Sequence, residues 1–304
     1  MKRKISFFIA VGMIFSTAIT SCNKDKDMTG QEMIQMTTNA VGEVSISMNG
    51  AGFATIDWGD GSVIETQAIR FEPFTDFIHN YTISNIRTIR IYGENIDRLY
   101  CNNNQLLSLD VSKNTSLFIL ACSGNKLTSL DVSKNTELYG LFCDDNQLTS
   151  LDVSKNSLVN LGCSGNKLTN LDLSNNVVLR WLHCAYNQLM TLDVSKNSLL
   201  SYLSCSNNQL TRLDLSNNAA LGGLNCYSNQ MSDVELDALF SSLHNNTITG
   251  KFIYVHDNPG ANNCNPDIAT YKGWDVYVTE RYENAIAVEC NGANHVQKCS
   301  ANLK

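Results

Sequence analysis

A chain of 304 residues is long enough for one large domain or two to three small ones, and only three of those residues are proline. Its net charge of −7 carries no clustered stripe of Lys and Arg. That excludes the usual basis of nucleic-acid binding, the neutralisation of phosphates.

Lys2, Arg3 and Lys4 precede an apolar stretch from Ile5 to Ile14 and then small residues. This is the build of a secretory signal over residues 1–21, too short and wrongly flanked for a stable membrane span. Ile19-Thr20-Ser21-Cys22 resembles the lipobox of bacterial lipoproteins. The resemblance implies that Cys22 is diacylated, becomes the new N-terminus and anchors the chain durably in a membrane. Asn23 after the cysteine implies, by the same resemblance, the bacterial outer membrane, with the body expected at the cell surface. Residues 22–40 open with a polar run and read as a flexible tether.

Residues 41–93 hold short alternating segments, among them EVSISM, ATIDW and RTIRIYG, which predict a small antiparallel β-sandwich. Asp57-Trp58-Gly59-Asp60-Gly61-Ser62, followed by His79-Asn80-Tyr81, resembles the WGDG and H-x-Y marks of polycystic-kidney-disease-type β domains. Asp60-Gly61 is a natural hairpin turn and Trp58 a natural core residue. The expected role of this domain is to close the open end of a solenoid built by the residues after it.

Residues 94–230 form a tandem array of about seven coils of 20–21 residues. The unit reads Leu-x-x-Leu-x-Cys-x-x-Asn-x-Leu-x-x-Leu-Asp-(Val/Leu)-Ser-x-Asn, which places Cys101, Cys122, Cys143, Cys163, Cys184, Cys205 and Cys226 on a regular step. Its first half is the leucine-rich-repeat strand signature with Cys in place of the third Leu. Alternation along the strand turns Leu141 and Cys143 inward and Phe142 outward. In-register side chains on strands about 4.8 Å apart run parallel, so they neither converge to a disulfide nor surround a zinc ion. A buried apolar setting also raises thiol pKa, which argues against a nucleophile. The cysteines therefore read as soft core residues. Asn104, Asn125, Asn146, Asn166, Asn187, Asn208 and Asn229 stand where each strand ends, placed to satisfy backbone groups of their own and neighbouring coils. The row of Asp110, Asp131, Asp152, Asp172, Asp193 and Asp214 reads as turn chemistry rather than as a calcium array.

The cysteine at the third strand leucine, with LTSLDVSKNT on the return side, resembles the cysteine-ladder leucine-rich repeats of internalin-J-type bacterial surface proteins. That resemblance implies a non-enzymatic surface protein that contacts host or neighbouring molecules.

After Gln230 the pattern changes. Residues 231–279 read as a C-terminal cap: a helix with Ser232 as N-cap and Val234, Leu236, Leu239, Phe240 and Leu243 as its apolar face, then strands in KFIYVHDNPG and KGWDVYVT. The ending resembles the cap of Bacteroidetes-type leucine-rich-repeat proteins. Residues 280–304 are a tail of unassigned structure, and the pairing of Cys264, Cys290 and Cys299 stays open.

The expected fold is thus a repeat solenoid, a leucine-rich-repeat horseshoe or right-handed coil with a parallel β-sheet, preceded by a small β-sandwich and closed by a helix-strand cap. Within it the return side scarcely varies, whereas the outward strand positions change at every coil. Trp181, His183, Tyr186, Tyr202 and Tyr227 fall on three consecutive coils, with Phe142 and Asp144 two coils earlier and Arg180 beside Trp181. Clustered aromatics suit protein anchoring or stacking on sugar rings. These eight residues are the candidate ligand-binding set on the concave face, for a protein partner at the cell surface or, alternatively, a glycan. No catalytic residue, metal or cofactor is expected: the His are scattered, and no nucleophile, base and orienter recur at workable spacing.

Overall fold

The computed structural model describes residues 33–93 and 95–279. The signal segment, Cys22, and the tail with Cys290 and Cys299 lie outside the described residues. Among the described residues no helix is long and apolar enough to cross a membrane.

Six strands precede the array: β1 (Met33–Thr38), β2 (Gly42–Gly50), β3 (Gly52–Asp57), β4 (Glu65–Ile69), β5 (Thr75–Tyr81) and β6 (Arg87–Gly93). The first of them falls within the expected tether. Met33–Thr38 instead pairs antiparallel with β6 along its whole length, burying Ile34 and Met36. The first coil then supplies β7 (Ile96–Tyr100) and β8 (Leu106–Asp110). β2 pairs with β7, and β1 with β8. Each sheet of the sandwich is therefore continued by one side of the first coil. The apolar end of the solenoid never meets water, because Ile46 and Met48 of β2 and Ile34 and Met36 of β1 join its core.

The WGDG and H-x-Y residues form the internal bracing of this cap. Tyr81 donates its hydroxyl to the Trp58 carbonyl at 2.6 Å, and the His79 ring stacks on Trp58 with its Nε2 2.7 Å from Asp60 Oδ2. The Arg87 guanidinium lies over the Tyr81 ring and donates to the carbonyls of Ile83 and Asn85. Trp58 is fully buried. The motif ties the β3–β4 loop to β5 and to the β5–β6 loop.

Through the array each coil contributes one short strand: β9 (Ile119–Ala121), β10 (Gly140–Phe142), β11 (Asn160–Gly162), β12 (Trp181–His183), β13 (Tyr202–Ser204) and β14 (Gly223–Asn225). They pair in parallel and in register. Inward Leu and Cys of every strand are fully buried. Burial pushes the Cys101 thiol up to about 12 and the other six well above their ordinary range. The ladder is packing, as its spacing implied.

The asparagines behave as expected. Asn187 donates its Nδ2 to the carbonyls of Cys163 one coil back and of Cys184 and Ala185 in its own coil, while its Oδ1 accepts from the Leu168 N–H at 3.0 Å. Asn258 repeats the arrangement beyond the array. A second ladder, which the strand signature does not announce, runs through the return side: the buried Asn135, Asn156, Asn176, Asn197 and Asn218 each donate to two carbonyls of the preceding coil. The aspartates accept from the serine N–H two residues on, 2.9 Å in the case of Asp152 and Ser154. They are turn residues.

Beyond β14 come α1 (Asp233–Ser242), β15 (Lys251–Tyr254), the single turn α2 (Asp267–Thr270) and β16 (Trp274–Tyr277). Ser232 Oγ accepts from the Glu235 N–H, as an N-cap should. Leu236, Leu239, Phe240 and Leu243 are buried, but Val234, expected on that face, is 71% exposed. Lys272 Nζ closes the other end, donating to the carbonyls of Phe240, Ser241 and Leu243. Gly260 passes so close to the start of α1 that a Cβ there would fall 1.9 Å from the Asp233 nitrogen. β15 and β16 continue the parallel sheet, so nine parallel strands, β7 and β9 to β16, form the concave face among the described residues.

Candidate functional site on the concave face

Register turns the outward residues into columns. The first contains Asn160, Trp181, Tyr202, Gly223, Phe252 and Asp275; the second Gly162, His183, Ser204, Asn225, Tyr254 and Tyr277. Rungs about 4.8 Å apart bring large rings on neighbouring strands into contact.

Trp181 stacks with Tyr202 at 5.3 Å between centroids, and His183 lies 5.0 Å from Tyr202. Tyr202 and Phe252 lean toward each other over Gly223, where a Cβ would come within 2.8 Å of both rings. Tyr254 stacks with Tyr277 at 4.4 Å, and Tyr227 with His256 at 4.3 Å. The rings within a stack face one another, so the surface they offer outward is largely edges, hydroxyls and ring nitrogens. His183 is enclosed between its neighbours, and burial pushes its pKa down to about 4, which leaves the imidazole neutral at pH 7. Its Nε2, the His256 Nδ1, the Asn225 Oδ1 and the Asn207 Nδ2 are buried without a hydrogen-bond partner.

Tyr186 has a different origin. The position two residues after the ladder cysteine has positive φ in every coil: Asn103, Gly124, Asp145, Gly165, Asn207 and Ser228 occupy it elsewhere. All but Ser228 are Gly, Asn or Asp, which tolerate the left-handed region, whereas a bulky aromatic there is strained. Tyr186 adopts φ 53° all the same and is 59% exposed. Its pKa is raised chiefly by the neighbouring Tyr227 hydroxyl. It joins the band from the side.

Of the eight candidates, the structure brings together Trp181, His183, Tyr202, Tyr186 and Tyr227. It separates the other three. Phe142 packs on Tyr100, Ile119 and Ala121 in a small cluster of its own, over which Phe74 of the N-terminal cap sits edge-on to Tyr100 at 4.9 Å. The first rungs of the face are thereby covered. Asp144 lays its carboxylate against Gly162, accepting from the Ser164 N–H and the Ser123 hydroxyl. Burial raises its pKa to about 6. Arg180 is exposed one residue before β12, outside the outward columns.

Phe252, Tyr254, His256 and Tyr277 were missed. Their signal was present in FIYVHDN, which repeats the register of WLHCAYN once Asn258 is aligned with Asn187. The helix inserted before it breaks the 21-residue step and hides the match.

No protein-family model and no curated protein sequence matches the chain. Its structural neighbours are leucine-rich-repeat proteins. The functional domain of InlJ from Listeria monocytogenes, which includes a cysteine ladder, is 24% identical over 65% of this chain and 57% of its own, with a TM-score of 0.35. This chain thus spans little more than half the length of that neighbour. Internalin C2 from the same organism is 21% identical over 60% of this chain and 80% of its own, with a TM-score of 0.50. A Shigella effector leucine-rich-repeat domain is 24% identical over 60% and 80%, with a TM-score of 0.49. The likeness to internalin C2 agrees with the solenoid fold described above.

Proposed function

We propose that this chain is a non-enzymatic lipoprotein of the bacterial outer membrane that recognises a protein partner through the C-terminal two-thirds of its concave face. Leucine-rich-repeat solenoids serve widely as interaction scaffolds, and here the outward residues diverge while the framework stays constant. The observation that carries the reading is the continuous aromatic band from Trp181 to Tyr277, with Tyr186 held beside it in a backbone conformation that a tyrosine adopts only at a cost. Tyr and Trp are the residues that anchor protein interfaces. No nucleophile and base are paired on this face.

Glycan capture is the second reading. It rests on Trp181, which ends the column of stacked rings. Sugar stacking uses open ring faces, and most faces here are taken by neighbouring rings, which favours a protein.

The test is capture by the full chain of surface proteins, mucins and a glycan panel, beside Trp181→Ala and Tyr202→Ala. A protein partner lost by about tenfold in both variants, and indifferent to soluble sugars, supports the proposal. Competition by sugar would favour the glycan reading, and unchanged binding in both variants would remove the aromatic band from consideration. The anchor is tested separately: an alkynyl fatty acid should label the wild type in cells, and Cys22→Ala should abolish that label together with membrane retention.

A further inference from the structure

From β9 to the end of β16 the outward positions of the concave face hold no Lys and no Arg. They hold four aspartates: Asp144 and Asp145 just past β10, Asp257 just past β15, and Asp275 on β16. Asp145, Asp257 and Asp275 are exposed, and none of the four forms an ion pair among the described residues, where the ion pairs are His79–Asp60 and Arg90–Asp57. Arg98 is in the first column, but on β7, one rung before this stretch; the other nearby cations stand off the columns. Arg180 precedes its strand, Lys167 follows the asparagine ladder and reaches Gln147, and Lys251 is buried with its Nζ on the carbonyls of Asn246 and Lys272. A solenoid that uses lysine freely on its return side, as at Lys113, Lys134, Lys155 and Lys196, has none on the face that would meet a partner.

The second observation is independent of charge. His256 is 8% exposed, stacked on Tyr227, and its Nδ1 lacks a partner; His183 Nε2 and Asn225 Oδ1 are likewise unpartnered. Buried polar atoms without partners are rare in native proteins and ask for an explanation. Three of them line the same band with essentially no exposed surface, so peptide N–H or C=O groups reach them where the neighbouring rings shift on binding.

Building on the proposed function, we infer that the partner presents a polypeptide segment with Lys or Arg side chains at two places, one seated on Asp145, two rungs before the aromatic band, the other on Asp257 and Asp275 at its far end, and an uncharged stretch between them lying on the aromatic rungs. The two acidic ends are five rungs apart, from β10 to β15, which is about 24 Å. An extended peptide covers that distance in about seven residues. Opposed charges steer the encounter and fix the register, while the aromatic centre supplies the desolvated contact.

The experiment is display of a random 16-residue peptide library on the full chain, with counter-selection on Trp181→Ala. The selected peptides are then measured against wild type, Tyr202→Ala and the double variant Asp145→Lys/Asp257→Lys, whose changes lie at exposed positions; thermal melting establishes that each variant is folded. The expected result is enrichment of Lys or Arg in pairs about seven residues apart. Binding should weaken about tenfold in the double-Lys variant and fall as salt rises from 50 to 300 mM. Neutral or acidic peptides that still depend on Trp181 would overturn the charge inference and leave the concave-face reading standing. Peptides that ignore both Trp181→Ala and Tyr202→Ala would overturn that reading too, and a library from which nothing is enriched counts against both.

Discussion

Asn225 donates its side-chain N–H to the Tyr202 hydroxyl of the preceding coil at 2.9 Å, which lays the tyrosine ring across Gly223 toward Phe252. The glycine is the space the two rings need. Gly223→Ala would put a methyl within 2.8 Å of both rings. Because the clash is with ring atoms rather than backbone, the rings should swing aside at modest cost, a fall in melting temperature of a few degrees. The ring arrangement should change more than the fold. Near-ultraviolet circular dichroism should shift while the far-ultraviolet spectrum holds, and partner capture should drop as far as in Tyr202→Ala. Unaltered capture would mean that the ring arrangement is irrelevant to binding.

The two kinds of polar residue that repeat in every coil should differ sharply in their contribution to stability. Asn187→Ala leaves the Leu168 N–H without a partner inside the solenoid, while the carbonyls of Cys163, Cys184 and Ala185 each lose one donor and keep another, from Asn166, Asn208 and the Gly165 N–H. At about 1–3 kcal/mol for the one buried group left unsatisfied, with three carbonyl contacts weakened besides, the loss should be about 2–3 kcal/mol. Asp193→Ala removes one exposed turn contact, to the Ser195 N–H, and should cost about 1 kcal/mol or less. Urea denaturation of the two variants measures the difference. Equal losses would show that the ladder is not what joins the coils.

The buried thiols imply a stability limit at alkaline pH. An unfolded thiol ionises near 9, whereas that of Cys101 in the fold is held near 12. The folded chain therefore keeps protons that the unfolded chain releases. The stability involved is complete below pH 9 and is lost as pH rises from 9 toward 12, by about 1.4 kcal/mol per pH unit for each thiol. Melting temperature should fall steeply above pH 9, and Cys163→Ala, though less stable at pH 7, should fall less steeply. Native protein at pH 8 should leave the seven ladder thiols unreacted with a thiol reagent until denaturant is added. Fast reaction at neutral pH would contradict the packing role.

How much of this was legible depends on how local each feature is. The Cys and Asn ladders could be read because one 21-residue unit states them, and repetition fixes which residues stack. β1 could not: Met33–Thr38 has only weak alternation, and its strand character comes from β6 and β8, about 50 residues away or more. The cover of Phe74 over Tyr100 is equally non-local. Trp181, His183 and Tyr202 come together as their spacing implied because they share a register. Phe142 was grouped with them on spacing alone, and the smaller Asn160 and Gly162 on the rung between keep it apart. Which way the rings turn, faces inward upon each other and edges outward, depends on rotamers that no repeat pattern states.

Tyr186 offers the test that separates stability from recognition most cleanly. It occupies a left-handed position where the next coil has Asn207 with nearly the same φ, 54° against 53°. For most residues that conformation costs about 1–2 kcal/mol, and Asn is among the residues that enter it most readily. Tyr186→Asn should therefore stabilise the fold by about 0.5–1 kcal/mol, less whatever the contact with Tyr227 contributes. The same change removes an exposed ring from the edge of the band, so partner capture should weaken by about tenfold. A substitution that raises the melting temperature while it lowers binding is what a residue retained for recognition predicts. If Tyr186→Asn melts lower than wild type, the tyrosine is there for packing, and its place in the site is lost. If it melts higher and binds as before, the strain has no use at this surface, and the band must be redrawn without it.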